Sequence, residues 1–246
     1  MQRYFLQTPW DAEENATIIG DDSKHIMRVM RMNVNDQVIT VSEGKAYISS
    51  ITHILPDGVV VHRVEGPLPE NEMKVEVTIA CGLPKGDKLD TIVQKGTELG
   101  MAAIIPFEAE RSIVKWDDKK GSKKVERLRK IAKEAAEQCH RTVIPEVESP
   151  SSFRQLIEQS TRYDVLLVAD EEDAKSGEPH RIADRLKQVH PNQKVLAVFG
   201  PEGGLSRKEA DTLRSAGFLP IALGPRILRT ETAPMYLLSA MSYEFE

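Results

Sequence analysis

The stretch KVLAVFGPEGGLSRKEADTLRSAGFLPIALG, Lys194 to Gly224, decides the fold class. Lys194 to Phe199 is a near-continuous apolar, β-rich run, the pattern of a strand buried on both faces. It stops at Gly200, and three glycines between Gly200 and Gly204 open backbone conformations closed to other residues. Ser206 and Glu209 have the spacing of a capping box and Gly217 supplies a stop, so a helix is read between them. Leu219 to Leu223 is then a second apolar run. Strand, loop, helix and strand make one unit of a parallel sheet.

The same alternation extends outward. Val75 to Leu83 precedes a helix from Asp87, Met101 to Phe107 precedes Gly121 to Cys139, Tyr163 to Ala169 precedes Pro179 to Val189, and a last helix starts at Thr232. This predicts an α/β domain over residues 74–246 with a mostly parallel sheet covered on both faces. Ligands bind such sheets at the carboxyl ends of strands, which directs attention to the loops after Ala169, Phe199 and Leu223.

Gly66 to Glu72 (GPLPENE) reads as a linker. Residues 1–70 before it carry short β-rich runs, Gln37 to Ser42, Ala46 to Leu55 and Val59 to Val64, with turn chemistry at Pro56-Asp57-Gly58. They predict a small β-barrel or β-sandwich. One helix interrupts it, Ser23 to Met30, with Asp21 or Asp22 as cap. Lys24, Arg28 and Arg31 are spaced i, i+4, i+7 and would share one face, which is either a phosphate-binding row or a solvated surface.

The 246 residues hold 33 Lys plus Arg against 38 Asp plus Glu, a net charge of −5, which argues against a surface uniformly coated for nucleic acid. The distribution is uneven. Residues 1–70 hold 6 basic and 10 acidic side chains, whereas 111–141 hold 11 basic and 5 acidic ones, so a local basic surface is compatible with an acidic protein. No apolar run reaches the roughly 18 residues of a membrane helix, and Met1 to Asn15 turns acidic where a secretory signal is apolar, so a cytosolic protein is expected. Cys81 and Cys139 lie far apart without a Cys/His cluster. Neither a disulfide framework nor a metal site is expected.

Three segments carry candidate chemistry. GPEGGLS (Gly200 to Ser206) matches neither the phosphate-loop nor the dinucleotide pattern, and is a ligand cradle or a tight turn. LGPRILRTETAP (Leu223 to Pro234) sets two arginines, two threonines and a glutamate between Pro225 and Pro234, with Thr232 as a possible helix cap. KGDKLDTIVQKGTELG (Lys85 to Gly100) places Lys88, Lys95 and Glu98 on a helix ending at Gly100. The competing reading there is an amphipathic helix with Leu89, Ile92, Val93 and Leu99 inward.

Taken in order, and behind the element HIMRVMRM (His25 to Met32), these three segments closely resemble the RsmE family over the whole chain. The family consists of SPOUT-class methyltransferases that methylate N3 of a uridine in 16S ribosomal RNA of the small subunit, using S-adenosylmethionine. The resemblance implies an N-terminal PUA-like, RNA-binding β-barrel over 1–70. It also implies a C-terminal parallel-sheet domain over 74–246 with a trefoil knot, an exception to unknotted folds, and a homodimer. Two departures are visible: Asn35 stands where the family has Gly before Asp36, and Met30 where Leu is usual. Asn accepts positive φ, so the turn is expected to survive, and the Met swap conserves volume.

By resemblance, Phe199, Gly200, Glu202 and Gly203 of the first loop and Leu223, Gly224, Ile227, Leu228, Thr232 and Ala233 of the second hold the methyl donor. RNA is expected at Arg3, Lys24, Arg28 and Arg31, with the basic region around Lys119 to Lys133 as an extension. No metal is required, because methyl transfer needs an in-line nucleophile and a suitable electrostatic environment. Uracil N3 must lose a proton as it attacks. Arg229 is the candidate for stabilising the developing anion, with phosphate placement as its alternative, and Glu98 and Glu231 are candidates for orienting Arg229 or accepting the proton. Competing readings keep the fold with a tRNA base or ribose 2'-hydroxyl as acceptor, or make the chain a non-catalytic RNA-binding assembly factor. A nucleotide-binding metabolic enzyme is disfavoured by the missing phosphate-loop patterns.

Overall fold

In the computed structural model, which describes residues 1–170 and 181–246, the first of two units comprises Met1–Glu72 together with Ala136–Val143. Its strands are β1 (Arg3–Phe5), β2 (Asn15–Ile19), β3 (Gln37–Ser42), β4 (Lys45–Leu55) and β5 (Gly58–Glu65). They form one mixed sheet in the order β1-β3-β4-β5-β2, a half-barrel in which β1 runs parallel to β3 and the other pairs are antiparallel. Pro56 and Asp57 make the two-residue turn of the β4–β5 hairpin. Tyr4, Ile18, Ile26, Val38, Ile51, Val59 and Val61 fill its core. The short strands β1 and β2 lack a local signature because pairing with distant residues stabilises them.

The helical element departs from expectation. α1 (Gly20–Lys24) begins without a side-chain cap, so neither Asp21 nor Asp22 fills that role, and it passes into a π-turn at His25–Val29. Arg31 then sits outside the helix at φ 52°. A π-turn widens the repeat, so Lys24, Arg28 and Arg31 do not form the single α-helical row that their spacing suggests. Tyr4 Oη and His25 Nδ1, 2.9 Å apart, fasten the π-turn to β1. Asn35 does adopt φ 75°, and the Asp36 carboxylate accepts the Asn33 N–H at 2.7 Å, so that turn forms with Asn in place of Gly.

Ala136–Val143 is held to this unit by Glu72. Its Oε2 accepts from Arg141 Nε and Nη2 at 2.9 and 2.6 Å, and its Oε1 from the N–H groups of Thr142 and Val143 at 2.7 and 3.1 Å. Both side chains of the ion pair are nearly buried. Burial alone would raise the Glu72 pKa, but the bonds from Arg141 and the two N–H groups hold it below the ordinary carboxylate value. A depressed folded-state pKa gives stability that is present above the unfolded-state value and lost as pH falls through the folded one. Glu72→Ala removes the carboxylate that pairs with the nearly buried Arg141 and accepts from two N–H groups, so the first unit is expected to lose about 3 kcal/mol at neutral pH. Hydrogen exchange of the β3–β5 amides checks this, and the gap to wild type should narrow as pH drops below about 4.

The second unit, Met73–Ala135 with Ile144–Glu246, has strands β6 (Glu76–Gly82), β7 (Ala103–Glu108), β8 (Glu146–Val147), β9 (Ser151–Ser152), β10 (Val165–Ala169), β11 (Lys194–Phe199) and β12 (Leu219–Ile221). The order is β12-β10-β11-β6-β7-β8, with β9 also on β7, and every pairing is parallel. The helices are α2 (Lys88–Glu98), α3 (Asp118–Gln138), α4 (Phe153–Gln159), α5 (Ile182–Leu186), α6 (Arg207–Ser215) and α7 (Thr232–Phe245). Pro179 and His180 of the expected Pro179–Val189 helix lie outside the described residues. Along β11, Val195, Ala197 and Phe199 point into one core with α2 and α7, while Leu196 and Val198 point into another with Leu205, Leu213 and Phe218. Both faces are therefore covered, as an uninterrupted apolar strand requires. Among the described residues no helix is long and apolar enough to cross a membrane.

Candidate active site

The carboxyl ends of β10, β11 and β12, at Ala169, Phe199 and Ile221, open onto one cavity of about 590 Å³, within the range of small-ligand sites. The glycine loop forms one wall. A Cβ on Gly200 would lie 2.8 Å from both Gly204 C and Leu205 N, so the chain folds back on itself here only without a side chain. Gly204 N–H donates to Pro201 O at 2.8 Å and Gly204 takes φ 68°. The loop is anchored as the sequence spacing anticipated. Ser206 Oγ accepts from Glu209 N–H, Glu209 Oε2 accepts from Ser206 N–H, and α6 follows. Further anchors were not legible: Ser206 Oγ donates to Glu110 Oε2 at 2.7 Å, and Arg111 Nη1 donates to Gly203 O at 3.1 Å.

The second wall is the loop from Leu223 to α7. Gly224 turns at φ 92°, and Arg229 O accepts from the N–H groups of Thr232 and Ala233, closing a turn before the helix. Thr232 is the first helical residue and not the cap, because Glu231 takes the cap position without a side-chain bond to the backbone. Phe199, Gly200, Glu202, Gly203, Leu223, Gly224, Ile227, Leu228, Ala233 and Arg229 all line the cavity. Thr232 does not. Arg229 is exposed and makes no ion pair or side-chain hydrogen bond among the described residues.

Glu231 stands beside the cavity, with its Oε2 buried, without a hydrogen bond among the described residues, and 3.7 Å from Lys88 Nζ. Glu98 does not join this site. It lies ten residues from Lys88 on α2, about 15 Å of helix, and its carboxylate accepts from Lys95 Nζ at 2.7 and 2.9 Å. Arg3 is equally misplaced as a surface cation: it is 5% exposed and its Nη1 donates to Arg141 O at 2.8 Å. Lys24, Arg28 and Arg31 are exposed, with Lys24 paired to Asp21. In the basic region, Arg127 pairs with Asp90, Arg129 bonds Val147 O and Lys124 stacks over Trp116, so part of that charge is engaged within the chain. The side chain of Lys119 lies outside the described residues. Sequence reasoning missed Lys88, Arg111, Asp170 and Arg226 as cavity residues.

Chemically, the cavity combines apolar walls, close-approach backbone and mixed charge. Leu205, Leu223, Ile227 and Leu228 suit a flat ring system, Glu202 suits a cationic group, Arg226 and Arg229 suit an anionic one, and Asp170 is paired with Arg214 at 3.4 Å. Among the described residues no three His, Cys, Asp or Glu side chains cluster as a metal site. Cys81 is buried, with its thiol pushed up to about 12 by burial, and is no nucleophile.

An RNA methyltransferase domain matches residues 71–242, and an RNA methyltransferase PUA domain matches residues 18–62. Fold, site and these matches define an RNA methyltransferase of the parallel α/β type. The chain is 47% identical to the ribosomal RNA small subunit methyltransferase E of Bacillus subtilis, covering 100% of this chain and 98% of the relative. It is 30% identical to the protein of that name from Synechocystis, with 94% and 73% covered. A crystal structure of a ribosomal RNA small subunit methyltransferase E from Neisseria gonorrhoeae bound to S-adenosylmethionine superposes with a TM-score of 0.85 at 27% identity, over 100% and 98% of the two chains. The chain belongs to the ribosomal RNA small subunit methyltransferase E family.

Proposed function

We propose that the chain transfers the methyl group of S-adenosylmethionine to N3 of a uridine in 16S ribosomal RNA. The observation that carries the reading is the cavity closed by the Gly200–Ser206 and Leu223–Ala233 loops, with Arg229, which makes no ion pair among the described residues, on its wall. A donor that is part heterocycle and part cation fits apolar walls, a loop that turns back on itself only because position 200 has no side chain, and the carboxylate of Glu202. When bound, the donor supplies an electrophilic methyl on a sulfonium.

The chain's residues do the rest. Leu223, Ile227 and Leu228 flank the ring and exclude water, while loop backbone groups orient it. Arg229 faces the uracil carbonyls and stabilises negative charge as N3 loses its proton. Glu231, whose Oε2 has no hydrogen-bond partner among the described residues, accepts that proton. The two loops would hold the donor so that N3 takes up its methyl group. Glu98 and Arg3 have no part in this reading. Lys24, Arg28 and Arg31 contact RNA phosphates, and the target base leaves its stack to reach the cavity.

We also propose that the segment between β12 and α7 is the knotted one: β12 is an edge strand, yet α7 returns to pack on α2, which follows the interior strand β6. A homodimer is proposed through α7, where Thr232, Tyr236, Ser239 and Tyr243 lie exposed on one face. Such a substrate implies a cytoplasmic protein. The test is incubation with tritiated S-adenosylmethionine and, separately, small subunits, large subunits and tRNA from a strain lacking the enzyme. Label only in small-subunit RNA is expected, and label in tRNA alone would replace the acceptor.

A further inference from the structure

Lys88 opens α2, where a positive side chain opposes the helix dipole, so helix stability does not account for it. Its ammonium instead reaches both loops of the cavity. Nζ donates to Glu202 Oε1 at 2.8 Å and lies 3.7 Å from Glu231 Oε2. The Lys85 N–H donates to the same Glu202 oxygen at 3.0 Å, which fixes one carboxylate and leaves the ammonium to serve the second. Without a cation between them, the two carboxylates of the two loops would repel, and Glu231 Oε2, which has no hydrogen bond among the described residues, would lose its ion-pair partner.

We propose that Lys88 is a positioning residue for methyl transfer: it ties the Glu202 loop to the Glu231 loop and holds the Glu231 carboxylate beside the cavity. The inference rests on the methyl-transfer reading, with Glu231 as proton acceptor. Hydrogen bonding to Glu202 raises the Lys88 pKa, which keeps the ammonium charged through the working pH range. Burial alone would raise the Glu202 pKa, but the Lys88 bond lowers it overall. The charge pattern is therefore a cation shared by two anions.

The experiment is the single-turnover methylation rate of small subunits, at saturating S-adenosylmethionine, for wild type, Lys88→Met, Lys88→Gln and Lys88→Arg. Lys88→Met and Lys88→Gln should lower the rate by about 10–100-fold, the scale of a small misplacement of reacting groups. Lys88→Arg keeps the charge and should recover most of the rate. In a Glu231→Gln background, Lys88→Met should add no further loss. A purely structural role would add the same loss with and without the Glu231 carboxylate. A rate within about threefold of wild type in Lys88→Gln, with an active wild type, overturns the role of Lys88 and leaves the proposed function standing. A wild type that transfers no methyl group overturns the function itself.

Discussion

Replacing Arg229 by Ala should lower single-turnover methylation of small subunits by about 10²–10³-fold, the usual cost of removing a group that stabilises a developing anion. S-adenosylmethionine binding, measured by titration calorimetry, should change by less than about threefold, since this residue is assigned to the acceptor and not the donor. Its exposure and its lack of side-chain partners among the described residues predict an unchanged fold. That separates it from Arg141, whose removal would take the ion-pair partner from the nearly buried Glu72. Arg229→Lys should recover only part of the rate, because an ammonium keeps the charge but not the planar fork. Turnover of Arg229→Ala within about threefold of wild type would remove the residue from the mechanism.

Gly200→Ala should weaken S-adenosylmethionine binding by about 100-fold, or about 2.7 kcal/mol. The added methyl would meet backbone at Gly204 and Leu205, both at 2.8 Å, so the loop that walls the cavity must open to admit it. Gly204→Ala is the informative partner. Its Cβ would meet nothing within 4 Å, and the cost is only the positive φ of 68°, about 1–2 kcal/mol for an ordinary residue. Both variants add one carbon to one loop, so a larger loss at position 200 assigns the effect to close backbone approach. Equal losses would mean that loop conformation, not the cradle, governs binding.

Local signals in the sequence carried the second unit well. The Ser206/Glu209 box, the Gly217 stop and the apolar β11 are one-neighbourhood features, and each forms as spaced. The Ser152/Gln155 box had the same signature before α4, although the short helix escaped notice. Asn35 behaved as its tolerance of positive φ implies. What escaped was determined by distant partners. Arg3 looks like a surface cation until β3 pairs with its strand and Arg141 O accepts its proton. The π-turn breaks a cation row that α-helical spacing promised. Glu98 and Lys88 share a helix, yet only Lys88 lies at the end of the sheet where the strands deliver their loops. The docking of Ala136–Val143 on Glu72 spans 69 residues and leaves no local trace.

The central claim is the acceptor atom. Small subunits from a strain lacking the enzyme, treated with the purified protein and labelled S-adenosylmethionine, should be digested to nucleosides and resolved by mass spectrometry. The label is expected in 3-methyluridine from 16S ribosomal RNA. Label in a 2'-O-methylated nucleoside or another methylated base would contradict it.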